Sequence, residues 1–288
     1  MRRGDAGRRR TAVALLTATV GLGSAAPGAA QWVEDPGAGW VALALYHQNT
    51  RHEFRSNGDE RPIFPDGQAI TTSTFLTVAL GLVRGLDVWV QPSFHHLQFD
   101  DVTADRSSTG FGDTRLWLRA APLEWVGSEF PLAIRGGVKL PFGDFDVDAE
   151  IIPLGDGQRD WEIMGEVGHS FWPRSVYVMG WLGYRWREEN TESLRDFGNE
   201  VFYFAQVGGQ VGPMGYKIAL DGWNGRSGVV EGLAIPSFQR DLLQLQPTLS
   251  YPVGPGSVEA GARFALRGKN LPAGTAFLLQ YFARLGLF

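Results

Sequence analysis

The C-terminal segment alternates with a period of two. Phe277, Leu279, Tyr281, Ala283, Leu285 and Leu287 lie on one face of an extended chain; Gln280, Arg284 and Gly286, with Leu278, Phe282 and Phe288, lie on the other. A helix would scatter these apolar side chains around its axis, whereas a strand gathers them on one side. The pattern recurs upstream. Val258, Ala260, Ala262, Phe264 and Leu266 oppose Glu259, Gly261, Arg263 and Arg267; Leu132, Ile134, Gly136, Val138 and Leu140 oppose Arg135 and Lys139; Thr114, Leu116, Leu118 and Ala120 oppose Arg115, Trp117 and Arg119. Along the chain the period predicts twelve strands, at about 39–50, 69–83, 86–98, 110–121, 131–141, 159–171, 175–187, 199–211, 215–225, 239–252, 256–267 and 274–288.

Strand length and loop length say where such a sheet belongs. Most segments run to about 11–15 residues, beyond the ~5–6 usual in soluble sheets, and a tilted bilayer-spanning strand needs about 9–11 plus its ends. Tight turns at Arg84-Gly85, Pro173-Arg174, Gly212-Pro213-Met214 and Gly254-Pro255-Gly256 alternate with longer polar connections near 51–68, 99–109, 142–158, 188–198 and 226–238. Short turns at one end, long loops at the other and an even strand count predict an all-β, up-and-down antiparallel transmembrane barrel with both termini on the periplasmic side. Pro92 and Pro247 fall inside strands, where a bulge or locally broken pairing is expected.

Composition narrows the class. The 38 glycines are aperiodic and the absence of cysteine removes disulfide scaffolds, thiolate metal sites and cysteine nucleophiles. Arg2, Arg3, Arg8, Arg9 and Arg10, the apolar stretch Thr11 to Gly21 and the small residues Gly28-Ala29-Ala30 have the anatomy of a cleaved signal peptide over residues 1–30, leaving 31–288 as the barrel. Removing its five Arg and one Asp from 26 basic and 31 acidic residues leaves 21 and 30, a net charge of −9. No basic footprint for nucleic acid remains. The expected location is the bacterial outer membrane, and the expected partners are its lipid, a small-molecule solute and, during biogenesis, periplasmic chaperones and the barrel-assembly machinery. No cofactor is implied.

Twelve strands about 4.8 Å apart and tilted about 40° enclose a lumen of order 10 Å once side chains are counted, unless a loop or the N-terminal segment plugs it. The inward faces are expected to carry Asp113, Arg115, Trp117 and Arg119; Arg135 and Lys139; Glu162 and Glu166; Trp181 and Arg185; Lys217 and Asp221; and Glu259, Arg263 and Arg267. Simple pairing across the 172–174 turn puts Glu162 near Arg185. These charges either pair across strands and fill the lumen or set a transverse field that selects solutes. Trp117, Tyr177, Trp181, Phe202 and Phe204 are filler or a stacking track for aromatic solutes. Asp144, Asp146, Asp148, Glu150 and Asp156 invite a calcium reading, but an EF-hand count from Asp144 puts Ala149 where Gly is needed and Gly155 where Glu is needed, so a solvated acidic loop is expected. Ser93 and His95 share a strand face without an oriented third partner, and no enzyme activity is expected. His169 is expected to face lipid near the periplasmic rim.

Four glycine-based fragments carry a resemblance: Gly110-Phe111-Gly112-Asp113-Thr114, Lys139-Leu140-Pro141-Phe142-Gly143-Asp144, Leu154-Gly155-Asp156-Gly157 and Leu182-Gly183-Tyr184-Arg185. Together they resemble the meta-pathway of phenol degradation family over roughly 110–187. The resemblance implies an outer-membrane barrel acting as a transporter, with passive uptake of small organic, including aromatic, compounds. A closed-lumen structural or surface-interaction barrel is the alternative, and an outer-membrane lipid hydrolase a third.

Overall fold

The computed structural model describes residues 33–63, 66–102, 105–128, 130–143, 152–191, 193–230 and 232–286. The expected signal segment 1–30, the acidic residues Asp144, Asp146, Asp148 and Glu150, and the terminal Leu287 and Phe288 lie outside them.

Twelve antiparallel strands follow one another around a closed wall: β1 (Ala38–Thr50), β2 (Gln68–Val83), β3 (Leu86–Gln91, continued as Ser93–Asp100), β4 (Asp105–Phe111, continued as Thr114–Ala120), β5 (Leu132–Leu140), β6 (Asp160–Ser170), β7 (Val176–Arg187), β8 (Glu200–Val211), β9 (Met214–Gly225), β10 (Asp241–Val253), β11 (Gly256–Lys269) and β12 (Thr275–Gly286). Each pairs with its neighbours in sequence, and β1 also pairs with β12 from Ala38↔Gly286 to Gln48↔Ala276, which closes the barrel. Closure is what hydrocarbon demands, because an unpaired backbone group there costs several kcal/mol. A short helix, Pro122–Trp125, sits in the β4–β5 connection at the end that holds the chain termini. At the opposite end two small three-stranded ribbons form, one from His52–Phe54, Glu60–Pro62 and Leu271–Ala273, the other from Arg195–Asp196, Gly228–Val230 and Leu233–Ile235.

The predicted parity holds around the wall. On β1, Trp40, Ala42, Ala44 and Tyr46 are buried, while Leu43 between them is 50% exposed. The same split separates Phe277 and Leu279, exposed, from Leu278, Gln280 and Phe282, buried, on β12. An outer belt of exposed Leu, Val, Ile, Phe and Trp beside an inner face of Arg, Glu, Asp and Gln has its apolar side toward lipid. His169 is exposed at the end of β6 nearest the chain termini, against Phe171.

The irregularities have local causes. Pro92 has no N–H to give and divides β3, although its carbonyl still accepts from the Leu76 N–H at 3.2 Å. Pro247 stays paired with Ile218 on β9, while on the β11 side the ladder skips Gln246 and Pro247. Gly112 and Asp113 divide β4, and both are buried at the break. A register shift between Leu243 and Gln244 places Arg267 opposite Leu243. Leu243 lies on the outward parity of β10, between buried Leu242 and Gln244, so Arg267 is exposed on the outer face near the loop end. The expectation that Arg267 lines the lumen is corrected by that bulge, which turns every side chain beyond it to the other face.

At the periplasmic mouth, residues 33–37 fold onto the wall. The Glu34 N–H donates to the Asp87 carboxylate (3.0 Å), the Glu34 carboxylate accepts from Arg284 (3.1 Å), and Pro36 bridges to Gly81.

Candidate functional site

The lumen is not an open pore of about 10 Å. Inward side chains from all twelve strands fill much of it, and the chain at 152–158 turns inward from the loop end. Ile152 and Leu154 pack with Ala69, Leu97 and Phe99 on the inner face of β2 and β3 and with Ile63 on the connection before β2. The next residues reach the middle of a charge network. A Cβ on Gly155 would lie 2.2 Å from Asp113 Oδ1, so only glycine lets the loop backbone pass this close, and the Asp156 N–H then donates to Asp113 Oδ2 at 3.1 Å.

Lys139, 1% exposed, stands at the centre with three carboxylates: Asp156 at 2.6 Å, Asp113 at 3.0 Å and Asp160 at 3.0 Å. Arg187 joins Asp156 (2.7 Å), Asp160 (3.5 Å) and Glu200 (3.1 Å). Arg185 donates to Glu162 (2.9 Å) and Glu200 (2.5 Å), and Arg115 lies 3.6 Å from Glu162, whose other oxygen accepts from Trp117 Nε1 at 3.1 Å. Arg240 stands farther off, 3.9 Å from Asp156 and 4.0 Å from Glu200. A second network lies toward the periplasm: Arg119 with Asp87 (2.6 Å) and Glu166 (3.6 Å), and Arg135 with Glu166, both guanidinium groups over the Trp89 ring at 4.7 and 4.0 Å.

Burial pushes the Asp156 carboxyl up, but Lys139, Arg187 and Arg240 outweigh it and hold this loop carboxylate well below its usual range. For Arg240 the balance runs the other way: burial lowers it, the neighbouring Arg187 lowers it further, and the distant carboxylates do not restore it. Asp156 was expected in a solvated acidic loop. It is instead buried, because the loop that carries it folds into the barrel.

Elsewhere the lumen is aromatic and amide-lined. Trp181 stacks on Phe204 at 3.8 Å with planes 5° apart, and Gln206 donates to the Tyr177 hydroxyl at 2.8 Å. Arg263 donates to Gln246 (2.9 Å) and to the Tyr46 hydroxyl (3.3 Å), and Lys217 pairs with Glu259 at 2.5 Å. Asp221 Oδ2 and Gln244 Oε1, on directly paired residues, are buried acceptors with no hydrogen-bond donor among the described residues. Below them a cavity of about 350 Å³ opens at the periplasmic mouth between β6 and β12, lined by Tyr177, Tyr216, Lys217, Glu259 and Phe282.

Fourteen of the fifteen candidate lumen residues therefore face inward, all but Arg267. The reading missed Asp87, Asp160, Arg187 and Glu200, although each shares the parity of an inward residue two places away; it missed Arg240, which lies within the expected strand 239–252 two places from buried Leu242; and it missed Asp156, which sits on a connection and carries no parity signal. Ser93 and His95 do meet, Oγ to Nε2 at 3.0 Å, but the other ring nitrogen faces the Ser73 hydroxyl at 2.8 Å, and the group is buried in the lumen. No group of three or more His, Asp or Glu residues placed to hold a metal occurs among the described residues.

A family model described as "Putative MetA-pathway of phenol degradation" matches residues 61–281, well beyond the four fragments that carried the resemblance. The chain belongs to that family. Among solved structures, its fold is similar to an outer membrane channel from Pseudomonas putida F1 (TM-score 0.68, 17% identity, 91% of this chain and 100% of that one). It is also similar to the β-domain of the Bordetella autotransporter BrkA (0.54, 8%, 86% and 100%) and to the translocator domain of the autotransporter NalP from Neisseria meningitidis (0.52, 9%, 88% and 90%). No curated protein matches it. This member of the family is an outer-membrane β-barrel.

Proposed function

We propose that the chain is a passive outer-membrane channel for small organic solutes, aromatic ones included. The observation that carries this reading is the unequal filling of the lumen. Charge networks pack β3 to β6 and the loop ends of β7 and β8, whereas the lower part of β7 to β12 presents the Trp181–Phe204 stack, amides and two acceptors with no donor among the described residues above the 350 Å³ cavity. Aromatic faces with a few polar groups suit an organic solute. The similarity to an outer membrane channel from Pseudomonas putida F1 supports the same reading. Purified protein in planar bilayers is expected to show single-channel conductance, and a silent barrel would defeat the proposal.

A closed barrel serving at the surface is the second reading, favoured by the near-complete burial of Lys139 and Glu166, 1% exposed each. The chain is not read as an enzyme: among the described residues neither Ser93 nor His95 bonds a carboxylate, and ester hydrolysis lost on Ser93→Ala would overturn that. As a barrel it would depend on periplasmic chaperones and the barrel-assembly machinery, which depletion of that machinery tests.

A further inference from the structure

Four inward side chains stand side by side across neighbouring strands. Trp181 on β7 is paired with Phe204 on β8, Phe204 with Asp221 on β9, and Asp221 with Gln244 on β10. The first two make the aromatic stack. The last two, 5% and 4% exposed, are short of hydrogen-bond donors: Asp221 Oδ2 and Gln244 Oε1 have none among the described residues. Thr248 Oγ1, buried on the same face of β10 but nearer the periplasmic cavity, has no partner among them either. A buried acceptor without a donor has lost its hydration and gained nothing in return. The surroundings do not supply one. Phe204, Ala219, Leu242 and Ala265, beside the pair along and across the strands, have no side-chain N–H or O–H. Neither Trp223 nor Gln246, two places along, donates to these oxygens. Arg263 is engaged with Gln246 (2.9 Å) and the Tyr46 hydroxyl (3.3 Å), and it acts on Asp221 only from a distance. The two opposite charges are thus both present in this part of the lumen. What the Asp221–Gln244 pair lacks is N–H or O–H groups, not charge.

We infer that Asp221 and Gln244 form a binding site for the uncharged NH2 group of an aromatic primary amide. The inference rests on the channel reading for its physiological sense and names a solute class for it. Directly paired residues have Cβ atoms about 4.5–5.5 Å apart. An NH2 nitrogen that bonds two oxygens at about 2.9 Å each, along N–H directions about 120° apart, holds those oxygens about 5 Å from one another. One such group therefore serves both acceptors. A hydroxyl has a single hydrogen and serves one. An ammonium has hydrogens enough, but it would bring a further charge into a buried place where Asp221 already faces Arg263, and its desolvation would go uncompensated. The ring of the solute meets Phe204, the next side chain in the row, which has Trp181 stacked on it. Thr248 and the cavity at the mouth lie on the periplasmic side of the pair.

Calorimetric titration of the purified barrel in detergent tests the site apart from conduction. Benzamide is expected to bind at least tenfold more tightly than N,N-dimethylbenzamide, which keeps the ring and the carbonyl but has no N–H. It should also bind more tightly than phenol, which offers one hydrogen. Equal affinity for benzamide and either of the other two overturns the inference. So does a failure of benzamide to bind, the result expected if a proton shared between the two oxygens already closes the pair. Asp221→Asn places an NH2 group beside Gln244 from the wall itself. D221N is expected to bind benzamide at least tenfold more weakly than wild type, with the temperature of its heat-modifiable gel shift unchanged or raised; undiminished binding overturns the inference. Should D221N not fold, the solute series on the wild-type chain decides alone. If benzamide binds selectively to a barrel that does not conduct, the channel reading falls and the site stands. If the barrel conducts but does not distinguish benzamide from its dimethyl derivative, the site alone falls.

Discussion

The Asp156 carboxylate meets the Lys139 ammonium at 2.6 Å although the two residues belong to different parts of the barrel, Lys139 to the wall and Asp156 to a loop folded in from outside. With Asp113 and Asp160 also at 3.0 Å, one ammonium group holds three acids together. Lys139→Met removes the cation and leaves the carboxylates buried. The expected cost is about 3–5 kcal/mol, read as a lower temperature for the heat-modifiable gel shift of the folded barrel. Arg84→Gln, which breaks the exposed Arg84–Glu124 pair at 3.1 Å, should change stability by no more than about 1 kcal/mol. Equal effects from both would mean that the lumen is wetter than its packing suggests.

Gly137 lies opposite Trp117 in the β4–β5 ladder, and a Cβ there would stand 2.1 Å from the indole Cδ1 and 2.7 Å from the Leu116 carbonyl oxygen. Gly137→Ala must therefore displace the ring and stretch its bond to Glu162. A loss of roughly 1–3 kcal/mol is expected from overpacking. Gly165 on β6 has nothing within 4 Å of its would-be Cβ, so Gly165→Ala should stay within about 0.5 kcal/mol. A denaturation series on the two variants in detergent checks the contrast, and a tolerated G137A would show that the indole has room to shift.

The wall was legible because a period of two is enforced twice, by hydrocarbon outside and by polar neighbours inside, and strand ends fell within a few residues of the expected ones. Parity also placed Arg185 beside Glu162. What it could not supply was a change of phase. The bulge at Leu243 and Gln244 leaves no mark that separates Arg267 from Arg263, and only pairing across strands decides it. Nor does alternation reach the loops, so the insertion of Asp156 was invisible. Yet the four fragments behind the family resemblance contribute Asp113, Lys139, Asp156 and Arg185 to one buried network. Their glycines and charges are spaced irregularly along the chain because they are matched in space instead.

Acid should leave the loop in place over an unusual range. A carboxyl whose folded pKa lies below its unfolded value adds stability above the unfolded value, ~3.9 for Asp, and that stability is lost as pH falls through the depressed folded value. Asp156 is of this kind, held down by Lys139, Arg187 and Arg240 against its own burial. Conductance in planar bilayers and the labelling of a Leu154→Cys reporter should thus be flat from pH 7 to about pH 4. Opening between pH 6 and 5 would contradict the assignment of Asp156 as the anchoring acid.

Trp181 and Trp89 offer the sharpest test of where solute passes. Trp181 stacks on Phe204 in the aromatic part of the lumen, whereas Trp89 donates to Asp87 at 2.8 Å and carries Arg119 and Arg135 on its face. Trp89→Ala removes a buried ring from a charge network and is expected to cost about 3–5 kcal/mol with little change in conductance at temperatures where the barrel stays folded. Trp181→Ala removes a partly buried ring that supports no ion pair, so stability should fall less while conductance rises, because the vacated space adjoins the route rather than the packed side. Single-channel recordings of both variants under one salt condition decide it. If W89A conducts more and W181A does not, the solute route runs through the charged half and the assignment of the two halves must be exchanged.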